Sequence, residues 1–528
     1  AKRVSVQPPA PDVEAGRLPS EGESYPMFVV LASFLMDMTR IETHQALRLR
    51  NLVIELPDGA RDRAVFVSHQ WCGRRHPDPQ RAQLRVLQTV MRRAIAGTLT
   101  VEADLLTRIA FGARMGTHAR ELRGIADWFV WYDYFSVPQP IAPQAEACMH
   151  TDLDTDLGKA VNSLSSYVER CRWFFVLAPM VSHEEGHLID YNSWKGRGWC
   201  RFERLARVLT PTTGTKSVLV IKDDTRMWEA AAIEWLTEPV GHGSFTIESD
   251  RTRLAAKLAD MLQMNLEHLL RSGSVREYRR WLGYSVSLFR GLPADFRSLR
   301  PFEHPEGRHC HENVGDAFLA AHHFTSATDT PHGTSPLLIA AGAGNVEVIK
   351  ALLASKASLD SRERRDLPTF GIFAGMRPLH IAALHGHAAA ASVLLQGGAD
   401  ANVITSVGDR PMVFAILVSV AEVVQVLMGS RADATARNDI GLTALDIASI
   451  THKADSVRMA LSIGIPRSCN EHGLNPLHMA AAFDATKEVA VMLVEGGCSL
   501  TDRFRPKFGS AWWFISAHFV ISYRLGRR

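Results

Sequence analysis

Ser335-Pro336-Leu337-Leu338, Arg377-Pro378-Leu379-His380, Arg410-Pro411-Met412-Val413, Thr443-Ala444-Leu445-Asp446 and Asn475-Pro476-Leu477-His478 are five versions of one tetrad. Their second residues stand 42, 33, 33 and 32 positions apart. Proline there suits the first turn of a helix, where its missing N–H would have no intrahelical partner. Small residues follow: Ala340-Ala341, Ala382-Ala383 and Ala480-Ala481 keep an inner helix thin enough for a neighbour to stack closely. A second apolar set comes next at helical spacing, in Val348, Ile349, Leu352 and Leu353, in Val393, Leu394 and Leu395, in Val423, Val424 and Leu427, and in Val489, Met492 and Leu493. Gly397-Gly398-Ala399-Asp400 ends the second unit at a turn, with glycine supplying the left-handed conformation. Residues 333–502 therefore read as five stacked helical hairpins.

A period near 33 that opens on Pro-Leu-His resembles the ankyrin repeat. The resemblance implies an all-α solenoid that binds protein partners through its fingers and inner helices and does not itself catalyse. Val413 and Asp446 stand where the pattern has His. Nine extra residues between the first two units fall around 366–375, in an expected finger, so partner contact is expected near 362–375 and 402–410. Trp512-Trp513-Phe514 and Phe519-Val520-Ile521 make a poor polar cap, and 503–528 reads as a tail or incomplete repeat.

Outside the repeats, composition narrows the function classes. The chain has 528 residues, too many for one compact core. Hydrophobic residues are 46% and charged residues 22%, which fits a folded chain and not a disordered one. Lys plus Arg is 59 against 56 Asp plus Glu, and a net charge of +3 argues against a dedicated nucleic-acid binder. The longest apolar runs, 27–36 and 511–523, are too short to span a bilayer. Seven scattered cysteines without a CxxC pair exclude a disulfide framework or zinc ribbon and suit a reducing compartment. With no basic-apolar leader, the chain reads as cytoplasmic or as a fragment of something longer.

By texture the chain divides into a disordered lead-in (1–24), an α/β domain (25–270), a connector (271–332), the repeats (333–502) and the tail (503–528). The basic-aromatic stretch 271–300, with Tyr278, Trp281, Leu282, Tyr284 and Phe289, reads as a helix that docks on its neighbour. Within 25–270, Val65-Phe66-Val67-Ser68, the run 128–133, Trp173–Leu177 and 217–221 read as buried parallel strands, with 244–247 as a weaker fifth. Helices are expected at 80–96, 157–171, from Trp199 to about Val208, and at 251–270. This alternation predicts a doubly wound parallel sheet, with ligands gathering beyond the strand ends at Ser68, Asp133 and Ala178. No GxGxxG or GxxxxGK[ST] follows a strand, which disfavours a dinucleotide-fingerprint dehydrogenase or P-loop ATPase.

The order Val-Phe-Val-Ser, Trp-Tyr-Asp, Phe-Phe-Val-Leu-Ala-Pro and Trp199-Cys200-Arg201-Phe202-Glu203 resembles a Toll/interleukin-1-receptor (TIR) domain over roughly 62–270. The resemblance implies a flavodoxin-like fold used for signalling or self-association. In NAD-cleaving members it implies that the glutamate four residues after the tryptophan is catalytic, which is Glu203 here. Ser68, Trp71 and Asp133 then line the pocket, and Trp71 or Trp131 would stack on a nicotinamide or adenine ring. NAD enters as substrate, and no cofactor is implied. The sequence departs from the family in the roughly 60 residues between the first two strands, with an insert over 97–126, and in the Pro-rich loop 134–156 that would gate the pocket. The block Ser68-His69-Gln70-Trp71 … His76-Pro77-Asp78-Pro79 is unlike the family as well.

His183-Glu184-Glu185-Gly186-His187 spells the HExxH zinc motif. Pro179 upstream and Gly186 within it deny the helix that the motif needs, so a solvated loop without zinc is expected. His304, His309, Cys310 and His311 show no recurring ligand spacing, and no metal is assigned. The combined reading is an intracellular scaffold or signalling protein; the alternative is an NAD glycohydrolase regulated through the repeats.

Overall fold

The computed structural model describes residues 24–103, 119–140, 155–210, 217–293 and 313–507, apart from His452, Asp484 and the side chain of His332. The lead-in up to residue 23, most of the 134–156 loop, the His304–His311 cluster and the tail from 508 lie outside these residues.

Ten strands are described: β1 Phe28–Leu31, β2 Ile54–Glu55, β3 Ala64–His69, β4 Thr100–Ala103, β5 Phe129–Tyr132, β6 Trp173–Leu177, β7 Val181–Ser182, β8 Leu188–Ile189, β9 Val218–Ile221 and β10 Arg226–Glu229. Eight form one sheet in the order β2-β1-β5-β3-β6-β9-β10-β4, and β7 and β8 form a separate hairpin. The four central strands, β5, β3, β6 and β9, are parallel. Helices cover both faces, so each central strand buries alternate residues in opposite cores. Val65, Val67, Val130, Tyr132 and Phe175 face helix Ala82–Ala96. Phe66, Trp131, Phe174 and Val220 face the other way, towards the helices Leu164–Arg170 and Gly198–Leu209. Burial on both sides is why these strands read as unbroken apolar runs. Phe66 stacks on Trp131 at 4.2 Å and on Phe174 at 5.2 Å, which places Trp131 in the core and not over a ligand ring.

Three expectations need correction. The sheet is mixed, because β1 pairs antiparallel with β2 and β5, and β10 pairs antiparallel with β9. Residues 244–247 form no strand; Ser244 makes an isolated bridge to Arg197, since Arg251 and the Gly243 turn hold that segment in a bend. The 97–126 insert contributes an edge strand, β4, paired with β10. The helix expected at 157–171 breaks at Ser163 into Asp156–Asn162 and Leu164–Arg170. Ser163 ends the first segment with its own hydroxyl on the Lys159 carbonyl and accepts the Ser24 N–H.

In the C-terminal helical region, five hairpins follow the tetrads, from Pro336–Ala343 with Val346–Ala354 to Pro476–Ala482 with Lys487–Glu495. An earlier helix, Val314–Ala321, packs on the first outer helix, where Gly315 comes close to Ala351. The α/β region and the first hairpins share one apolar core. Helix Val275–Gly283 docks between them: Tyr284 lies against Gly342, and Gly283 against Ile339. The inserted finger turns inward over 367–372, while Arg362, Arg364, Arg365 and Asp366 stay exposed. Phe370 packs on Trp281 at 4.8 Å, Ile372 is fully buried, and Trp235 Nε1 donates to the Thr369 carbonyl at 2.5 Å. Gly371 sits at φ +63 with Ile233 where a Cβ would be, so no other residue fits that contact. Arg280 and Glu363 close the joint with a buried ion pair at 2.6 Å.

Candidate functional site

Parallel strands end together, and their ends bring four groups from three distant segments to one place. Ser68 is the penultimate residue of β3 and Trp71 follows it; Asp133 begins the single-turn helix after β5; Glu203 reaches in from helix Gly198–Leu209. Glu203 lies in the second turn of that helix.

Ser68 Oγ donates to Glu203 Oε2 at 2.5 Å and accepts from Trp194 Nε1 at 3.0 Å. Burial, opposed by the Ser68 hydrogen bond and reinforced by the charge of Asp133, pushes the Glu203 carboxyl up to about 7. Asp133 behaves in the opposite way. Its Oδ1 meets His69 Nε2 at 2.7 Å, and its Oδ2 accepts from Trp71 Nε1 at 2.8 Å. Burial works to raise Asp133, but the His69 charge, the His69 and Trp71 hydrogen bonds and the Tyr134 N–H outweigh it and hold the carboxyl below its usual value. The Asp133 side chain keeps 37% of its surface while His69 keeps 2%, so the carboxylate forms an open rim over a buried imidazole. His69 is fixed by stacking on Tyr132 at 3.9 Å, with Tyr132 OH at 3.1 Å from Nδ1.

Two carboxyls whose surroundings drive their acidities apart can divide acid and base work near neutral pH. Of the residues expected here, Ser68, Trp71, Asp133 and Glu203 do come together. Trp71 offers its indole N–H to Asp133 and meets Tyr134 in a T-shaped contact with centroids 5.6 Å apart. Trp199 points away, donating to Asp250 at 2.8 Å. Sequence reasoning missed Trp194 and His69. The Asp190–Ser193 capping box that starts helix Tyr191–Gly196 was the available signal for Trp194. The arginines around Glu203 in sequence have partners of their own. Arg201 bonds Glu238, Arg204 bonds Glu234, and Arg207 donates to the Cys171 carbonyl. The unusual His76–Pro79 text has a structural use, because the buried Asp78 accepts the Ala82 and Leu84 N–H groups at the start of helix Ala82–Ala96. A separate cavity of about 200 Å³ lies at the joint with the repeats, lined by Arg204, Val208, Trp235, Pro368 and Thr369.

His183 and His187 lie on the β7–β8 hairpin, not on a helix, so the HExxH motif does not form there.

Comparison with known proteins fits the helical region. A family model described as ankyrin repeats (3 copies) matches residues 309–405. Ankyrin repeats are thus present in this stretch, and they imply protein partners. The match starts before the first tetrad and takes in a unit that holds helix Val314–Ala321. That unit lacks the Pro-Leu tetrad, which is why the spacing did not mark it. No curated protein matches the chain. Among the described residues, no helix is long and apolar enough to cross a membrane.

Proposed function

We propose that the chain is a cytoplasmic scaffold or signalling protein whose ankyrin solenoid binds a protein partner and whose N-terminal region is TIR-like. The observation that carries the reading is the hairpin array and its open later fingers. Ile404 keeps 51% of its surface, and Asp433, Thr435, Asp439 and Glu471 are exposed. The parallel order β5-β3-β6-β9, second-first-third-fourth along the chain, supports the TIR-like part, as does Trp199-x-x-x-Glu203 on the helix after the third of these strands. Cross-linking the full chain in cells and mapping the captured partner by hydrogen exchange tests it. Protection at 400–410 and 433–441 is expected, and protection confined to the outer helix Ala421–Gly429 would contradict it.

A second reading, an NAD glycohydrolase, is favoured by the raised carboxyl of Glu203 beside the ionised Asp133. Breaking the nicotinamide–ribose bond leaves the electron pair on the ring nitrogen and cationic character at C1′, which a carboxylate stabilises. Water then adds at C1′ and gives its proton to a carboxylate. Because the α/β region shares its core with the repeats, the assay uses the full chain: NAD is added and released nicotinamide measured. Glu203→Gln should lower turnover ~100-fold or more. Equal release by a folded Glu203→Gln protein would remove Glu203 from the step, and no release by wild type would leave the scaffold reading alone.

A further inference from the structure

The run His183–His187 fails as a helical motif, yet its hairpin gives it another geometry. The His183 N–H donates to the His187 carbonyl at 2.8 Å, so the two residues face each other across the turn. Gly186 makes that turn at φ +88. The two imidazoles stack with centroids 4.4 Å apart, and Glu185 brings Oε2 to 3.8 Å from His183 Nδ1. One ligand atom from each of His183, Glu185 and His187 lies within 4.8 Å of the others. Glu184, which a helical motif would use as its base, points elsewhere: its carboxylate accepts the Arg74 N–H at 2.5 Å, and its own N–H donates to the Cys72 carbonyl at 2.8 Å.

We propose that His183, Glu185 and His187 bind a zinc ion at the hairpin tip, with water completing the coordination. Two imidazoles and one carboxylate suit zinc, whereas calcium and magnesium prefer oxygen ligands throughout. Bonds of ~2.0–2.1 Å place tetrahedral ligand atoms ~3.3 Å apart, so small side-chain rotations at an exposed tip bring the three groups in. Arg74 competes for the carboxylate: its Nε donates to Glu185 Oε1 at 2.7 Å, and its Nη2 lies 2.5 Å from the same oxygen. Oε2, which faces His183, is the oxygen left for the metal. The Glu184 contacts fasten this hairpin to the 72–74 loop, just after Trp71. Zinc here stiffens the loop beside the strand-end residues and takes no part in chemistry there.

The test strips the full chain with chelator, titrates it with zinc chloride in a calorimeter and measures retained metal after dialysis. One zinc per chain is expected. His183→Ala and His187→Ala should each weaken binding about tenfold or more, since losing even an outer-shell partner costs ~10–100-fold. Glu185→Gln should weaken it as well. The tip carries no packed core, so all variants should melt like wild type in chelator. Equal zinc affinity in wild type and both His variants would put the ion elsewhere and overturn the proposal, as would no uptake by wild type at millimolar zinc.

Discussion

Removing Glu363 is the sharpest probe of the joint between the α/β region and the repeats. Glu363 and Arg280 keep 0% and 1% of their side-chain surface and meet at 2.6 Å. Glu363→Ala leaves the guanidinium buried without its counter-charge, beside the neutral Thr334 hydroxyl and Arg276 carbonyl. Breaking one side of a buried pair costs ~3–5 kcal/mol. An exposed pair such as Lys350–Glu347 is worth only ~0–1 kcal/mol. A chain of this size need not unfold in one step, so a single melting point is a poor measure. The better assay is native-state hydrogen exchange at Leu367 and Ile372, whose N–H groups bond within the finger. Protection there should fall ~100-fold or more in Glu363→Ala. Tryptophan fluorescence should shift, because Trp235 and Trp281 line the same contact. Replacing both partners, with Arg280→Met and Glu363→Leu, should restore most of the loss, since apolar residues of similar volume replace a buried pair at little cost. A single variant within ~1 kcal/mol of wild type, or a double variant no better than the single, would refute a buried pair at the joint.

Three further outcomes follow from the same contacts. The Glu203 carboxyl, pushed up to about 7, holds its proton more tightly folded than unfolded, where ~4.3 is usual, so its stabilisation is full below ~4.3 and is lost as pH rises towards 7. Glu203→Gln should therefore match wild type in denaturant at pH ~5 and exceed it at pH ~8, and the same difference at both would refute the burial. Leu394 is fully buried while Leu395 is only partly so; Leu394→Ala should cost ~2–5 kcal/mol and Leu395→Ala clearly less, measured by urea unfolding. Gly371→Ala meets Ile233 and an unfavourable positive φ, so the finger should exchange amide hydrogens faster while the hairpins from Pro411 onward keep their protection.

The hairpins were legible in sequence because helical packing repeats every three to four residues, and the tetrads mark each inner helix at its first turn. The central strands were legible for a related reason: covered on both faces, β3, β5, β6 and β9 are nearly unbroken apolar runs. Strands β1, β2 and β10, outside the central four, carry two to four residues each, and nothing in so short a segment states its direction, so the mixed character of the sheet came only from pairing. At the strand ends, Ser68, Trp71, Asp133 and Glu203 could be named from position, but what each touches could not. In sequence Glu203 sits among Arg201, Arg204 and Arg207 and reads as their partner. A helix advances ~100° per residue, which turns Arg201 and Arg204 towards Glu238 and Glu234, Arg207 towards Cys171, and Glu203 inward to Ser68. The inserted finger followed the same rule: its length was plain in the spacing, but nothing local states which surface a loop will meet. Packing against Ile233, Trp235 and Trp281 made its 367–372 stretch an internal contact, because apolar Phe370 and Ile372 lose more water there than at an open finger tip.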